Sequence, residues 1–232
     1  MFDPEKPPEL DVTGWLNAKD PITLAGLKEK VVVLVAFQML CPGCVEHGLP
    51  QAKRIRERFH PDQVAVIGLH TVFEHHKVMT PEALAVFMSE YRWPFPVGID
   101  RPDGDGPPKT MAAYQMQGTP TLLLFDRAGR LRRHYFGRPD DFLLAAEITG
   151  LALEDKGAPR EQSAAIERKL AAVLVDPSKH QHQHGHDHDH AHGEDCGCDH
   201  DHASAHDHGH GHSHDHGHDH GQAEPRPGLA RK

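Results

Sequence analysis

The sequence predicts an α/β domain, in which helices flank a sheet of about five strands, followed by a disordered C-terminal tail. Two runs, Val31–Phe37 and Val64–His70, are apolar without alternation and rich in β-branched residues, as is typical of strands buried on both faces. Segments with a helical spacing of apolar residues follow these runs. Seventeen of the 23 histidines lie from His180 onward, where almost no apolar residue remains. The chain therefore combines a folded domain with a polar tail.

The first half of the domain is predicted to contain the two central strands and two helices. A turn with Pro42 and Gly43 follows the first strand, and apolar residues at near-helical spacing predict a helix over 44–59. Thr80 is the predicted N-cap of the next helix, because its hydroxyl precedes Pro81 at the first helical position. That helix is expected to continue to about Tyr91.

The second half is predicted to close the sheet with a hairpin and to end in helices. The elements follow in order: a strand over 95–99, a loop over 100–108, a short helix over 109–115, strands over 121–125 and 130–136, and helices over 140–153 and 160–174. We therefore divide the chain into an N-terminal lead-in (1–13), the domain (14–155), a C-terminal helix (156–176) and the tail (177–232).

Composition excludes several functional classes. The chain has 34 acidic and 25 basic residues and a formal net charge of −9, which argues against a nucleic-acid partner. No stretch approaches the roughly 18 to 20 apolar residues of a membrane span, so no membrane association is expected. Residues 1–13 contain three prolines and four acidic residues without an apolar core, unlike a secretory signal. We expect a soluble, cytoplasmic protein.

The four cysteines form two close pairs, which indicates chemistry rather than a disulfide scaffold. Cys41 and Cys44 stand where the first central strand meets the following helix. A helix N-terminus favours a thiolate through its dipole and its unpaired N–H groups. Cys41 is thus the predicted attacking sulfur and Cys44 the resolving thiol. Pro42 and Gly43 are expected to set the strain of the small ring that a Cys41–Cys44 disulfide closes.

Two other interpretations of the Cys41 pair remain open. The pair is half of a zinc site that Cys196 and Cys198 complete, or it consists of two structural cysteines. A second motif favours the redox interpretation: Gly118, Thr119 and Pro120 come directly before a buried strand, and a cis bond between Thr119 and Pro120 is expected there.

Three segments together resemble the thioredoxin superfamily, within its redoxin branch of thiol–disulfide oxidoreductases related to alkyl hydroperoxide reductases. They are VVVLVAFQMLCPGC, FPVGID and GTPTLLLFDRAGRLRRHYFG, which span about residues 14 to 150. The resemblance implies a redox-active pair at Cys41 and Cys44, a cis-proline at Pro120 that packs against it, and a Thr119 backbone that binds extended substrates. It also implies an antioxidant enzyme of cell redox homeostasis, with no cofactor for the redox chemistry. Its partners would be protein or small-molecule disulfides and a thioredoxin-type or other thiol reductant.

The chain departs from the family pattern near the cysteines. Leu40 replaces the common tryptophan before the first cysteine, and Val35 replaces the buried aspartate of plain thioredoxins. His47, where the related branch has glutamate, and the adjacent Glu46 are candidates for a proton relay to Cys44, or simply polar residues on an exposed helix face.

A direct thiol peroxidase is a further alternative that the sequence pattern does not favour. The peroxiredoxin pattern P-x-x-x-T-x-x-C requires threonine three residues and proline seven residues before the cysteine. Counting back from Cys41 gives Gln38 and Leu34, and counting back from Cys44 gives Cys41 and Phe37.

The tail is rich in metal-binding side chains. Histidine alternates with Asp and Gly over long stretches, and imidazoles bind zinc, nickel and copper. Its strongest candidate ligands are Cys196, Cys198, His200, His202, His188 and His190. With almost no apolar residues, the tail cannot offset the entropy of ordering and is expected to be disordered without metal. Divalent metal ions are thus expected partners, and storage or delivery of metal is an alternative function for the whole chain.

Overall fold

The structure, a computed structural model, describes residues 2–104, 106–155 and 158–174. Six strands form one mixed sheet in the order β1-β4-β3-β2-β5-β6. The strands are β1 (Val12–Leu16), β2 (Val31–Phe37), β3 (Val64–His70), β4 (Val97–Asp100), β5 (Thr121–Phe125) and β6 (Leu131–Phe136). The helices are α1 (Leu49–Arg58), α2 (Pro81–Glu90), α3 (Lys109–Ala113), α4 (Asp141–Leu153) and α5 (Arg160–Val173).

Strand β2 lies at the centre of the sheet, as its unbroken apolar run predicts. It pairs in parallel with β3 and antiparallel with β5, and all seven of its residues are buried. Its side chains alternate between two apolar layers: Val31, Val33, Val35 and Phe37 contribute to one, and Val32, Leu34 and Ala36 contribute to the other. Helix α4 packs on the first layer and helix α3 on the second, so the strand is covered on both faces.

The sheet has one strand more than the expected five, because β1 forms at the junction of the lead-in and the domain, where the sequence analysis placed no strand. Trp15 pairs with Gly98 and Leu16 with Val97, antiparallel to β4. A strand of five residues that contains Gly14 has little sequence pattern from which a strand can be predicted. The exposed edge of β4 decides its conformation, since an unpaired edge offers hydrogen-bonding groups to a neighbouring segment.

The helix predicted over 44–59 consists of a π-helical turn, Cys44–Gly48, followed by α1. In this turn the Leu49 N–H donates to the Cys44 carbonyl, five residues back. Pro50 gives the physical reason, because in a regular α-helix its ring would clash with the carbonyl of Glu46. The wider turn avoids that clash.

The predicted N-cap at Thr80 is confirmed, and the helix predicted to start at Asp140 is also capped by that residue. The Thr80 hydroxyl accepts a hydrogen bond from the Ala83 N–H at 3.2 Å, and the Asp140 carboxylate accepts from the N–H groups of Phe142 and Leu143. No helix in the described part of the chain is long and apolar enough to cross a bilayer. The predicted tail, 177–232, lies outside the described residues, and its disorder stays a prediction.

Candidate active site

The two cysteines of the CPGC segment lie at the carboxyl end of β2, one on the surface and one in the core. Cys41 is half-buried, Cys44 is completely buried, and both are free thiols. The Cys44 N–H donates a hydrogen bond to the Cys41 sulfur at 3.2 Å, and the Cys41 thiol donates to the Thr119 carbonyl at 3.4 Å. The fold thus brings together residues that lie 78 positions apart in the chain.

The bond between Thr119 and Pro120 is cis, which confirms the expectation from the sequence. Pro120 lies beside the CPGC segment: a Cβ placed on Gly43 would come within 3.5 Å of its Cδ. The Gly137 N–H donates to the Pro120 carbonyl at 2.8 Å, which ties this proline to the end of β6. The strand β5 that follows it is fully buried, so the proline is held by the core of the sheet.

The electrostatic environments of the two sulfurs differ. Burial raises the pKa of Cys44 to about 12, and its hydrogen bond with Cys41 contributes in the same direction. The Cys41 sulfur instead is partly accessible and accepts the backbone N–H of Cys44. The two sulfurs therefore differ in accessibility and in surroundings.

Gly48 is a site residue that the sequence analysis missed. It is buried at the end of the π-helical turn, and a Cβ at this position would lie 2.9 Å from the Cβ of Pro120. Only a glycine allows the turn to approach the proline ring this closely. A glycine inside a helical pattern was the one signal that could have indicated a close contact.

The structure does not bring the candidate proton relay to the buried thiol. Glu46 and His47 lie in the π-helical turn but are exposed, and neither hydrogen-bonds Cys44 within the described residues. Val35, at the position of the family's buried aspartate, lies in the same apolar layer as Cys44. The relay role of these two residues stays a prediction.

A cavity of about 430 Å³ opens beside Cys41. Its walls come from three segments: the CPGC turn with Leu40 and Pro42, the β3–α2 loop with Phe73, Glu74 and His75, and the strip that contains Gly118, Thr119 and Phe136. Phe136 was another residue that the sequence analysis missed. It ends β6, and its ring lies so close to Gly118 that a Cβ there would be 3.0 Å from the Phe136 Cε2 atom.

No group of three or more His, Cys, Asp or Glu side chains in the described residues is arranged to hold a metal ion. The candidate metal ligands of the tail lie outside the described residues: Cys196, Cys198, His200, His202, His188 and His190. Their metal binding stays a prediction, and so does the zinc site that would join the two cysteine pairs.

The fold and the cysteine site define a thioredoxin-like protein, and solved structures agree. No protein-family model matches the chain, and no curated protein matches it. A crystal structure of a thioredoxin-like superfamily protein is 56% identical with a TM-score of 0.64, matching 66% of this chain and 99% of its own. A thiol-disulfide isomerase from Corynebacterium glutamicum is 50% identical with a TM-score of 0.62, matching 65% of this chain and 97% of its own. The chain belongs to the thioredoxin-like superfamily.

Proposed function

We propose that the protein is a thiol–disulfide oxidoreductase in which Cys41 attacks a substrate disulfide and Cys44 resolves the product. The observation that carries this proposal is the position of the Cys41 sulfur. It is accessible, accepts the Cys44 N–H at 3.2 Å, contacts the Thr119 carbonyl and borders an open cavity. The 50% identical relative named a thiol-disulfide isomerase supports the same class of reaction.

The reaction proceeds in two exchanges. The Cys41 thiolate attacks one sulfur of the substrate disulfide, forming a mixed disulfide and releasing the other sulfur as a thiolate. Cys44 then loses its proton and attacks the Cys41 sulfur, which forms the Cys41–Cys44 disulfide and frees the second substrate thiol. The substrate gains two electrons and two protons, and the enzyme loses them. An external thiol reductant restores the dithiol, and the reverse sequence oxidises a substrate dithiol.

The residues around the two sulfurs have positioning roles in this scheme. Pro42 and Gly43 form the short turn that brings Cys44 one helical turn inward. Thr119 presents backbone groups beside Cys41, where an extended peptide carrying the disulfide would hydrogen-bond. Pro120 fills the space beside the cysteine turn and keeps that face of the site apolar.

Single-site variants test the assignment of the nucleophile. Cys41→Ser is expected to reduce insulin-disulfide reduction, with dithiothreitol as the reductant, to the uncatalysed rate, because a serine hydroxyl cannot form the mixed disulfide. The double variant Cys196→Ser, Cys198→Ser is the matched control and is expected to retain full activity. Full turnover by Cys41→Ser would show that the nucleophile is a different group.

We propose that the substrates are disulfide-containing polypeptides, that an external thiol reductant regenerates the dithiol, and that the protein acts in the cytoplasm.

Thiol peroxidase activity is the alternative function within the same cysteine chemistry. It predicts that Cys41 is oxidised by hydrogen peroxide faster than it reacts with disulfides, which stopped-flow measurements on the reduced protein distinguish. The missing threonine and proline of the peroxiredoxin pattern favour disulfide exchange.

We also propose that residues 177–232 bind divalent metal, and their composition supports this. Seventeen imidazoles and the Cys196–Cys198 pair supply nitrogen and sulfur ligands that suit zinc, nickel or copper. Removal of 177–232 is expected to abolish most zinc binding in equilibrium dialysis while disulfide reduction persists. Equal zinc stoichiometry in the full-length and shortened proteins would contradict a metal-binding tail. A full-length protein that binds zinc but does not reduce insulin disulfides would favour metal storage or delivery as the main function.

A further inference from the structure

The cavity beside Cys41 is lined in large part by apolar side chains. Leu40 and Phe136 both line it, and both are unusually exposed for large apolar side chains, at 57% and 60%. Phe73 and the buried Met79 contribute further apolar surface. Exposed apolar groups that line one cavity with a reactive sulfur are typical of a surface that a partner covers.

Phe136 is exposed although it lies in a paired strand and not at the tip of a loop. Phe136 pairs with Thr121 in the sheet, and the next residue, Gly137, donates its N–H to the Pro120 carbonyl. The ring lies against Gly118, where a side chain would displace it. The Phe136 ring therefore lines the cavity from a strand end whose backbone the sheet holds, and it lies next to Gly118, the residue before Thr119.

The polar groups of the cavity disfavour anionic occupants. Glu74 is an exposed carboxylate in its wall, and no lysine or arginine from the described residues lines it. The buried Gln38 side chain already accepts a hydrogen bond from the Phe73 N–H. His75 lines the cavity next to Glu74. A small disulfide that carries carboxylates, such as glutathione disulfide, thus finds no lysine or arginine in this cavity and meets a like charge at Glu74.

We propose that Leu40 and Phe136 determine substrate specificity by binding an apolar side chain adjacent to the attacked cysteine of a polypeptide disulfide. This inference rests on the proposed oxidoreductase function and narrows its substrates from disulfides in general to neutral or basic polypeptides with an apolar residue beside the cysteine. A volume of about 430 Å³ accommodates such a side chain with part of its backbone. The chemistry is unchanged: Cys41 attacks the peptide disulfide, and the displaced peptide thiolate leaves.

Matched peptide disulfides test this specificity with the reduced full-length protein in single-turnover reactions. Three symmetric disulfides of blocked hexapeptides differ only in the residue before cysteine, which is Leu, Ser or Asp. Glutathione disulfide and 2-hydroxyethyl disulfide complete the series. We expect the Leu peptide to react about tenfold faster than the Ser peptide, because part of an apolar side chain leaves water, and the Asp peptide and glutathione disulfide to be the slowest.

The variants Leu40→Ser and Phe136→Ser are expected to bring the ratio of the Leu and Ser peptide rates close to one. Phe142→Ser is the matched control: Phe142 is 83% exposed, lies on α4 and does not line the cavity, so the ratio should remain as in the unmodified protein. The ratio of the Leu and Ser peptide rates also distinguishes a change in specificity from a loss of folded protein, because a loss of folded protein would lower both rates equally.

Two results would overturn the inference. The first is an unmodified protein that reduces the Asp peptide or glutathione disulfide as fast as the Leu peptide. The second is an unchanged Leu preference in both cavity variants. An unmodified protein that reacts with none of the five disulfides, including the uncharged 2-hydroxyethyl disulfide, would overturn the oxidoreductase function together with this inference. Turnover of 2-hydroxyethyl disulfide without any peptide preference would overturn the specificity alone.

Discussion

Two regions of the domain differ in whether their buried polar groups have hydrogen-bond partners. At the far end of the sheet, the fully buried Arg132 on β6 hydrogen-bonds Asp126, Glu154 and Glu167, which joins β6 to the end of α4 and to α5. At the active-site end, the buried Nε2 atom of His70 has no hydrogen-bond partner among the described residues. The ion cluster satisfies its polar groups, whereas the active-site end leaves polar groups and thiols in apolar surroundings.

The difference shows how the fold separates stability from reactivity. A buried arginine needs several carboxylates to offset its desolvation, and three different elements supply them. A buried thiol that must react cannot be held in this way, because strong partners would fix its protonation state.

The first prediction concerns Cys44, whose environment controls the resolving step. Because burial raises the pKa of Cys44 to about 12, its thiolate is a small minority at neutral pH. The rate at which Cys44 resolves the mixed disulfide is expected to rise about tenfold per pH unit between pH 7 and 9. Quenched-flow trapping of the mixed disulfide measures this rate.

Cys44→Ser is the control for that measurement. This variant still forms the mixed disulfide at Cys41 but accumulates it at every pH, because no second sulfur is available. A resolving rate in the unmodified protein that does not change with pH would show that another group accepts the Cys44 proton. Glu46 and His47 would then be the residues to substitute.

The second prediction removes the centre of the ion cluster. Arg132→Ala leaves Asp126, Glu154 and Glu167 without their shared cation, and we expect a loss of about 3–5 kcal/mol in the free energy of unfolding. Arg54→Ala is the matched control, since its ion pair with Asp141 is exposed and is worth about 1 kcal/mol or less. Urea denaturation measures both. Equal losses in the two variants would contradict the distinction between buried and exposed ion pairs.

The third prediction concerns His70 and the pH dependence of stability. Burial lowers the pKa of His70 to about 4, so the unfolded chain binds a proton below pH 6.5 that the folded protein does not bind. The free energy of unfolding is therefore unaffected by His70 above pH 6.5 and falls as the pH decreases from 6.5 to 4, by up to about 3 kcal/mol.

A comparison of variants isolates this contribution from that of the carboxylates. His70→Leu is expected to flatten the decline between pH 6.5 and 4 and to cost little at pH 7, because it removes an unsatisfied buried nitrogen. His134 is the control position, because it is largely exposed and only partial desolvation lowers its pKa, so His134→Gln is expected to change the slope much less. The same decline in His70→Leu as in the unmodified protein would contradict a neutral, buried imidazole.

The smallest effect is expected at Gly48. Without tertiary contacts, Gly→Ala in a helix raises stability by up to about 1 kcal/mol. Gly48→Ala is expected to lower it by about 1–3 kcal/mol instead, because the added Cβ lies 2.9 Å from the Pro120 ring. It should also slow disulfide reduction, since the proline lies beside the cysteine turn. Gly14→Ala, where a Cβ meets no atom within 4 Å, is the matched control. A stabilised Gly48→Ala protein would show that the contact is loose.

The sequence was most informative where local patterns are strong. The apolar runs of β2 and β3 identified the central strands with their observed ends, and the cap residue Thr80 marked the start of α2. It was least informative for β1, since five residues with a central glycine gain their conformation only by pairing with β4. The π-helical turn was also missed, because spacing alone does not distinguish it from an ordinary helical turn.

Neighbouring residues are sufficient to predict the redox pair: two thiols separated by Pro42 and Gly43 at the junction of a strand and a helix. Their identity, spacing and local backbone follow from adjacent positions, because propensity and the helix dipole act over a few residues. The surroundings of the two thiols depend on tertiary packing. It brings Thr119 and Phe136 to Cys41 from distant parts of the chain, encloses Cys44 in the apolar layer and presses Gly48 against Pro120. Burial and close contact depend on how the layers pack, and packing joins residues that are remote in sequence.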